Sequence, residues 1–186
     1  MNNFKLANSQ PEEHFNNIKN SIEYALNEGF KTNVYLEDWS NGMVNSQDYV
    51  FRYLDFISKQ PVNRILLPDT LGILTPDKTS EYINTIINRY PNLHFDFHGH
   101  NDYDLSVANC MEAVKAGVKG LHLTVNGMGE RAGNAPMASV AAVIKDFIPN
   151  VKINLKEKSL YRVSKLVSAF TGFRICLLYT SDAADE

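Results

Sequence analysis

The chain has 186 residues, 44% of them hydrophobic and 21% charged, with a formal net charge of −3. That length holds one medium-sized domain with a real core, and lysines and arginines scattered singly exclude non-specific nucleic-acid binding. Two cysteines exclude a disulfide framework, no apolar run approaches the ~20 residues of a membrane helix, and the opening MNNFKLANSQ lacks the apolar core of a secretory signal, so a cytoplasmic protein is expected.

Pro11–Asn27 reads as a helix that opens on Pro-Glu-Glu, sets Phe15, Ile18, Ile22 and Leu26 on one side and stops at Gly29. Thr32–Leu36 reads as a strand ending in Glu37-Asp38, with Trp39 packing the loop behind it. Ser46–Lys59 is a helix with Ser46 as N-cap and Val50, Tyr53, Leu54 and Ile57 as its apolar stripe. Arg64–Leu67 is a strand that runs into Asp69-Thr70. Thr75-Pro76-Asp77 starts a helix carrying Tyr82, Ile83, Ile86 and Ile87. Leu93–Phe97 is a strand leading into His98-Gly99-His100, and Leu105–Ala116 a helix with Cys110 as a small core residue. Gly120–Val125 is the fourth strand, ending in Asn126-Gly127, and Ala135–Phe147 an Ala- and Val-rich helix. A second helical pattern, Ser159–Ala169, follows.

Strand and helix alternate, and the strand ends are about 30 residues apart, so the units are parallel βαβ repeats. Polar residues cluster just after the strands, where α/β barrels and doubly wound sheets place their sites. A barrel needs eight such units and ~250 residues; this chain offers four. The expected fold is α/β, half of a (β/α)8 TIM barrel over residues 1–150. Residues 151–175 would begin a helical linker after it. Residues 176–186, CLLYTSDAADE, match nothing before them and resemble a translated sequencing adapter, a non-native tail. Asp182, Asp185 and Glu186 are that tail's only charges, so without them the net charge is zero.

His98 and His100 sit two residues apart at the end of a predicted strand and therefore point to one face, roughly 6.6–7 Å apart along the chain. Two imidazoles so placed either converge on one cation or sit hydrogen-bonded in a polar barrel interior. Asp96 shares their face, deeper in the barrel, and His122 has the same inward parity. In Asn126–Pro136, N-G-M-G-E-R-A-G-N-A-P, the glycines either let backbone approach a ligand or serve only turns. Asn134 offers a hard carbonyl oxygen, and no dinucleotide fingerprint or P-loop is present. Tyr35 and Glu37 share a strand face, Thr70 ends L-L-P-D-T, and Asp38 and Asp69 suit loop-holding or arginine pairing.

The order E-D-x-S, P-D-T-L-G, H-x-H-N-D, N-G-x-G-E-R-A-G-N resembles the α-isopropylmalate and homocitrate synthases, metal-dependent barrel acyltransferases related to hydroxymethylglutaryl-CoA lyase and citramalate synthase. It covers about residues 10–175. The resemblance implies that His98, His100 and Asn134 bind a divalent metal (Zn, Mn or Mg). It implies that Thr70 contacts the 2-oxo acid carboxylate, and that Glu37 and Glu130 line the site as catalytic groups, Glu37 also touching substrate. It implies acetyl-CoA as co-substrate, a Claisen-type condensation with a 2-oxo acid (2-oxoisovalerate first, in leucine biosynthesis), and a homodimeric full-length enzyme; homocitrate and citramalate synthases remain competitors. The family's R-D-G-x-Q motif, whose aspartate is another metal ligand, is not in this sequence, so these units correspond to the C-terminal half of the barrel. Tyr35 stands where many members have serine, and Asp104 replaces a glycine common after H-N-D. An inactive fragment of such an enzyme is the expectation; a non-catalytic half barrel that pairs with itself or a complementary half is the alternative from another class.

Overall fold

The computed structural model describes residues 10–173, so the odd tail and Cys176 lie outside the described residues. The elements run α1 (Pro11–Asn27), β1 (Asn33–Tyr35), α2 (Trp39–Asn45), α3 (Gln47–Ile57), β2 (Arg64–Asp69), α4 (Pro76–Arg89), β3 (Phe95–Gly99), α5 (Ser106–Ala116), β4 (Gly120–His122), α6 (Met137–Phe147) and α7 (Glu157–Thr171). The strands form one parallel sheet in the order β1-β2-β3-β4. Parallel neighbours joined through helices require crossover connections, and the regular strand order gives each helix one strand pair to cover.

The register sorts the side chains into two faces. Ile65 pairs with Phe95, and Leu67 with Phe97; all four are at most 1% exposed, on the face covered by helices. Leu54, Ile57, Ile83, Ile86, Cys110 and Ala113 pack there without solvent contact, as the apolar stripes of α3, α4 and α5 require. On the opposite face lie Tyr35 with Leu66, Leu66 with Asp96, Asp96 with Gly120, and His98 with His122. This inner face is the polar one.

Several elements differ from the sequence reading. Trp39 is not a loop residue: it opens α2, is 2% exposed and meets the Tyr82 ring edge-on at 6.5 Å between centroids. Asp38, at φ +60°, is the residue from which α2 starts, and Asn41 donates to its carboxylate at 2.8 Å. Gly42 then lets α2 lie against α3, since a Cβ there would stand 2.7 Å from Val50 Cγ2. The fourth strand stops at His122 rather than Val125, because Thr124 turns to bond the Ala135–Met137 backbone and Val125–Gly127 forms a single 3₁₀ turn. β3 starts and ends two residues later than its apolar run, following its partner β2 as far as the Asp69–Gly99 pair.

α7 has no fully buried residue, yet it is tied to the sheet's C-terminal end. Asn126 donates from its side chain to the Ser164 carbonyl at 3.0 Å, and the Ser164 hydroxyl donates back to Asn126 Oδ1 at 2.5 Å. Among the described residues no helix is long and apolar enough to cross a membrane. Burial pushes the Cys110 thiol up to about 12, and the group is enclosed in core, so it is inert. In a Cys176→Ser variant, Ellman's reagent is expected to titrate no thiol at neutral pH until denaturant is added; rapid labelling of the native chain would contradict this packing.

Candidate metal and substrate site

The site is assembled where the ends of β2 and β3 meet the loop after β4. Asp69 is fully buried, and its two carboxylate oxygens accept the backbone N–H groups of Ile73 and Leu74 at 3.0 and 3.1 Å. Its carbonyl accepts from His100 N at 3.3 Å. Asp69 thus holds the Leu71–Leu74 turn, as a loop-holding aspartate should, and frees Thr70 to point elsewhere. Thr70 Oγ1 accepts from the Asp38 backbone N–H at 3.0 Å, which ties the β2 end to the β1 end.

The glycine-rich loop folds back onto β3. Ala135 N donates to the Gly99 carbonyl at 3.0 Å, and Asn101 N to the Gly133 carbonyl at 2.9 Å, making His100 and Asn134 antiparallel partners. Inside the loop, Asn134 N donates to the Gly127 carbonyl at 2.9 Å. Gly133 has φ +86°, and a Cβ there would overlap the Gly127 oxygen. A Cβ on Gly129 would overlap the Asn134 amide. These two glycines serve close approach as well as turning.

This folding brings His98, His100 and Asn134 together. The His98 and His100 rings lie edge to face, 5.0 Å between centroids. His98 donates from Nδ1 to the His122 carbonyl at 3.0 Å, which leaves Nε2 as its bare nitrogen. Asn134 donates from Nδ2 to the Met128 carbonyl at 2.9 Å. Asn134 Oδ1 and His100 Nδ1 are both buried and make no hydrogen bond in the described structure. A buried polar atom without a partner is costly, on the order of 1–3 kcal/mol, and two of them beside a correctly oriented imidazole fit a divalent cation. Among the described residues no group of three or more His, Cys, Asp or Glu side chains is gathered to hold a metal, so the histidine pair would need the amide oxygen as its third donor. Burial lowers the His100 pKa first, helped by His98 and Arg131, which keeps the imidazole in its ligating, neutral form.

The two glutamates are placed differently. Glu37 is exposed just past β1. Glu130 is exposed at the loop tip, with its carboxylate 3.6 Å from Arg131 Nη1, and its negative charge acts on His100. Arg131 instead clamps the loop. It grips Asp102 with two N–H groups at 2.7 and 2.9 Å and donates to the Thr70 carbonyl at 2.8 Å. That pairing holds the Asp102 carboxyl below the ordinary carboxylate range. Gly72, at φ +60°, passes so close that a Cβ would lie 2.8 Å from Asp102 Oδ2. The P-D-T-L-G, H-N-D and G-E-R motifs are therefore one packed unit. The clamp escaped sequence reading because Asp102 and Arg131 are separated by 29 residues. Asn101 of H-N-D is a cap: its Oδ1 accepts from Ser106 N and Oγ at the start of α5. Its Nδ2 donates to Asp104, which occupies φ +60° where a glycine would be unstrained.

With this geometry in place, comparison with known proteins decides the family. The HMGL-like family model matches residues 2–167. The chain belongs to the HMGL-like family. A homocitrate synthase of Sulfurisphaera tokodaii is 37% identical over 163 residues, 87% of this chain and 34% of that protein. A probable 2-isopropylmalate synthase of Ignicoccus hospitalis is 34% identical over 164 residues, 88% of this chain and 40% of that protein. The chain thus spans about a third of the length of such relatives. The HMG-CoA lyase of Bacillus subtilis superposes with a TM-score of 0.81 at 19% identity, over 95% of this chain and 63% of the lyase. The four βα units are accordingly part of the HMGL-like TIM barrel.

Gly133→Ala is expected to cost about 2 kcal/mol or more, lowering Tm by roughly 4–8 °C. It should also accelerate amide exchange at Asn101 and Ala135, the two donors that close the loop on β3. An unchanged exchange rate at both amides would show that the loop does not depend on this glycine.

Proposed function

We propose that the protein containing this chain condenses acetyl-CoA with a 2-oxo acid, as a 2-isopropylmalate synthase-like acyltransferase, with 2-oxoisovalerate as its first candidate substrate. The observation that carries this reading is the gathering of His98, His100 and Asn134 by the folded-back loop, with two buried acceptors left unsatisfied. The relatives named homocitrate synthase favour 2-oxoglutarate as a second candidate. His98 through Nε2, His100 and Asn134 through Oδ1 would hold a divalent metal, Zn, Mn or Mg. When bound, such an ion supplies Lewis-acid polarisation of a ketone, worth several kcal/mol.

The chain's own residues do the rest on this side of the barrel. Thr70 has its oxygen engaged by Asp38 N, so its hydroxyl hydrogen is left to donate to a substrate carboxylate. The Arg131–Asp102 clamp holds Thr70 level with the histidine segment. Glu37 and Glu130, both solvent-accessible, serve as acid–base groups around the reacting carbons. Residues 151–175 open the segment that follows the barrel. The full-length enzyme works as a homodimer in the cytoplasm.

The deciding experiment is release of free CoA thiol from acetyl-CoA by the full-length protein with 2-oxoisovalerate, 2-oxoglutarate or pyruvate. Release should require both a 2-oxo acid and a divalent metal. His98→Ala or His100→Ala should lower kcat/KM by at least on the order of 100-fold. Thr70→Val should raise KM for the 2-oxo acid by roughly tenfold. Thioester cleavage of a 3-hydroxy-3-methylglutaryl substrate, with no condensation, would overturn the reading in favour of a lyase. The 186-residue chain alone offers two imidazoles and one amide oxygen, so isothermal titration should find weak Zn2+ or Mn2+ binding.

A further inference from the structure

The helix that follows the last βα unit is held by the residue that opens the site loop. Asn126 donates from Nδ2 to the Ser164 carbonyl at 3.0 Å and accepts from the Ser164 hydroxyl at 2.5 Å. Both ends of one amide are thus spent on one residue of α7. Among the described residues, the Val125–Gly127 turn is also the element that α7 chiefly touches. Leu160, Val163 and Val167 are only half-buried, and no residue of α7 is fully buried. A further tie, the ion pair of Lys145 on α6 with Glu157 at 2.7 Å, is solvent-exposed and contributes little.

The Ser164 hydroxyl departs from the helical habit. A serine or threonine hydroxyl inside a helix can bond the carbonyl four residues back, as Thr85 and Thr171 do here at 2.8 Å. Ser164 reaches a residue 38 positions away instead. Asn126 is strained where it is held, at φ +60° and ψ 15° inside a 3₁₀ turn. The left-handed region is unfavourable for any residue with a Cβ, asparagine less than most. Asn126 immediately precedes Gly127, whose carbonyl accepts the Asn134 N–H at 2.9 Å. The conformation of Asn126 therefore sets how the chain enters the residue on which the loop crossing closes.

We propose that Ser164 is a positioning residue for the site loop: docked α7 holds Asn126 in its left-handed conformation, and through Gly127 this seats Asn134. The coupling is reciprocal by linkage, so an ordered loop favours docked α7 and a displaced α7 loosens the loop. Its bearing on metal affinity rests on the reading of Asn134 as the amide donor; the mechanical coupling stands apart from that reading.

The test follows amide hydrogen exchange by NMR in the 186-residue chain. Ser164→Ala removes the hydroxyl and keeps a strong helix former. The Asn134 amide should exchange at least about tenfold faster, the order expected for one lost hydrogen bond, with the β2–β3 ladder amides at the parent rate. Ser164→Thr retains a hydroxyl and should keep the parent rate at Asn134. Asn126→Gly accepts left-handed backbone freely and removes the tie, so adding Ser164→Ala to it should have no further effect on Asn134. Acceleration confined to α7, additive effects of Asn126→Gly and Ser164→Ala, or equal acceleration of the ladder amides would each overturn the proposal. In the full-length protein, isothermal titration with Mn2+ should show Ser164→Ala binding about tenfold more weakly, as when the support of a metal ligand is lost. Faster Asn134 exchange with unchanged Mn2+ affinity, or no Mn2+ binding by the parent, would keep the coupling and sink the metal-site reading instead.

Discussion

The site depends on one close backbone passage, where the Gly127–Asn134 loop crosses itself and then lies along the end of β3. Asn134 N bonds the Gly127 carbonyl, and the flanking residues bond Gly99 and Asn101. No residue but glycine fits at Gly133, because both its φ and the Gly127 oxygen exclude a side chain. The rest of the candidate site is downstream of that contact. It seats the Asn134 amide beside His100, it carries Arg131 onto Asp102 and Thr70, and it leaves Asn126 turned outward to hold α7.

Beneath this loop the inner face is unusually polar for the centre of a sheet. A carboxylate as buried as Asp96 is tolerated only when its charge is matched and its lone pairs are used. Arg64, His94 and His122 meet that requirement together. The same network orders the histidine layer above it. His122 gives its carbonyl to His98 and its ring to Asp96 and Tyr35, so the residue fixes one imidazole while its own is held in place. The helix-covered face is the apolar one, where Ile65, Leu67, Phe95 and Phe97 are buried.

Much of this was legible along the chain. α1 has the boundaries its apolar period and Gly29 indicate, the stripe of α3 is buried as read, and that of α4 is buried except for the half-buried Ile87. Periodicity reports local geometry, and these helices are locally consistent. The reading fails where tertiary contact overrides local pattern. The Leu123–Val125 segment continues an apolar run, yet it leaves the sheet because Thr124 finds its backbone partners in Ala135 and Met137. Trp39 follows two acidic residues and looks like a loop side chain, but the space beside Tyr82 makes it the start of a helix. Within G-E-R the motif does not say which charged side chain holds the loop; the structure gives that part to Arg131, through Asp102.

By itself the sequence determined the fold class, the alternation of four βα units and the family, because spacing, parity and motif order are properties of consecutive residues. It also offered His98, His100 and Asn134, through the family resemblance, as the candidates to meet a cation. Only the tertiary structure decided which distant side chains meet around them. Tyr35 and His122 are 87 residues apart, Asp102 and Arg131 are 29 apart, and no periodicity links either pair. Their meeting is set by strand register and by one glycine-dependent crossing, both of which exist only once the sheet has closed its hydrogen bonds.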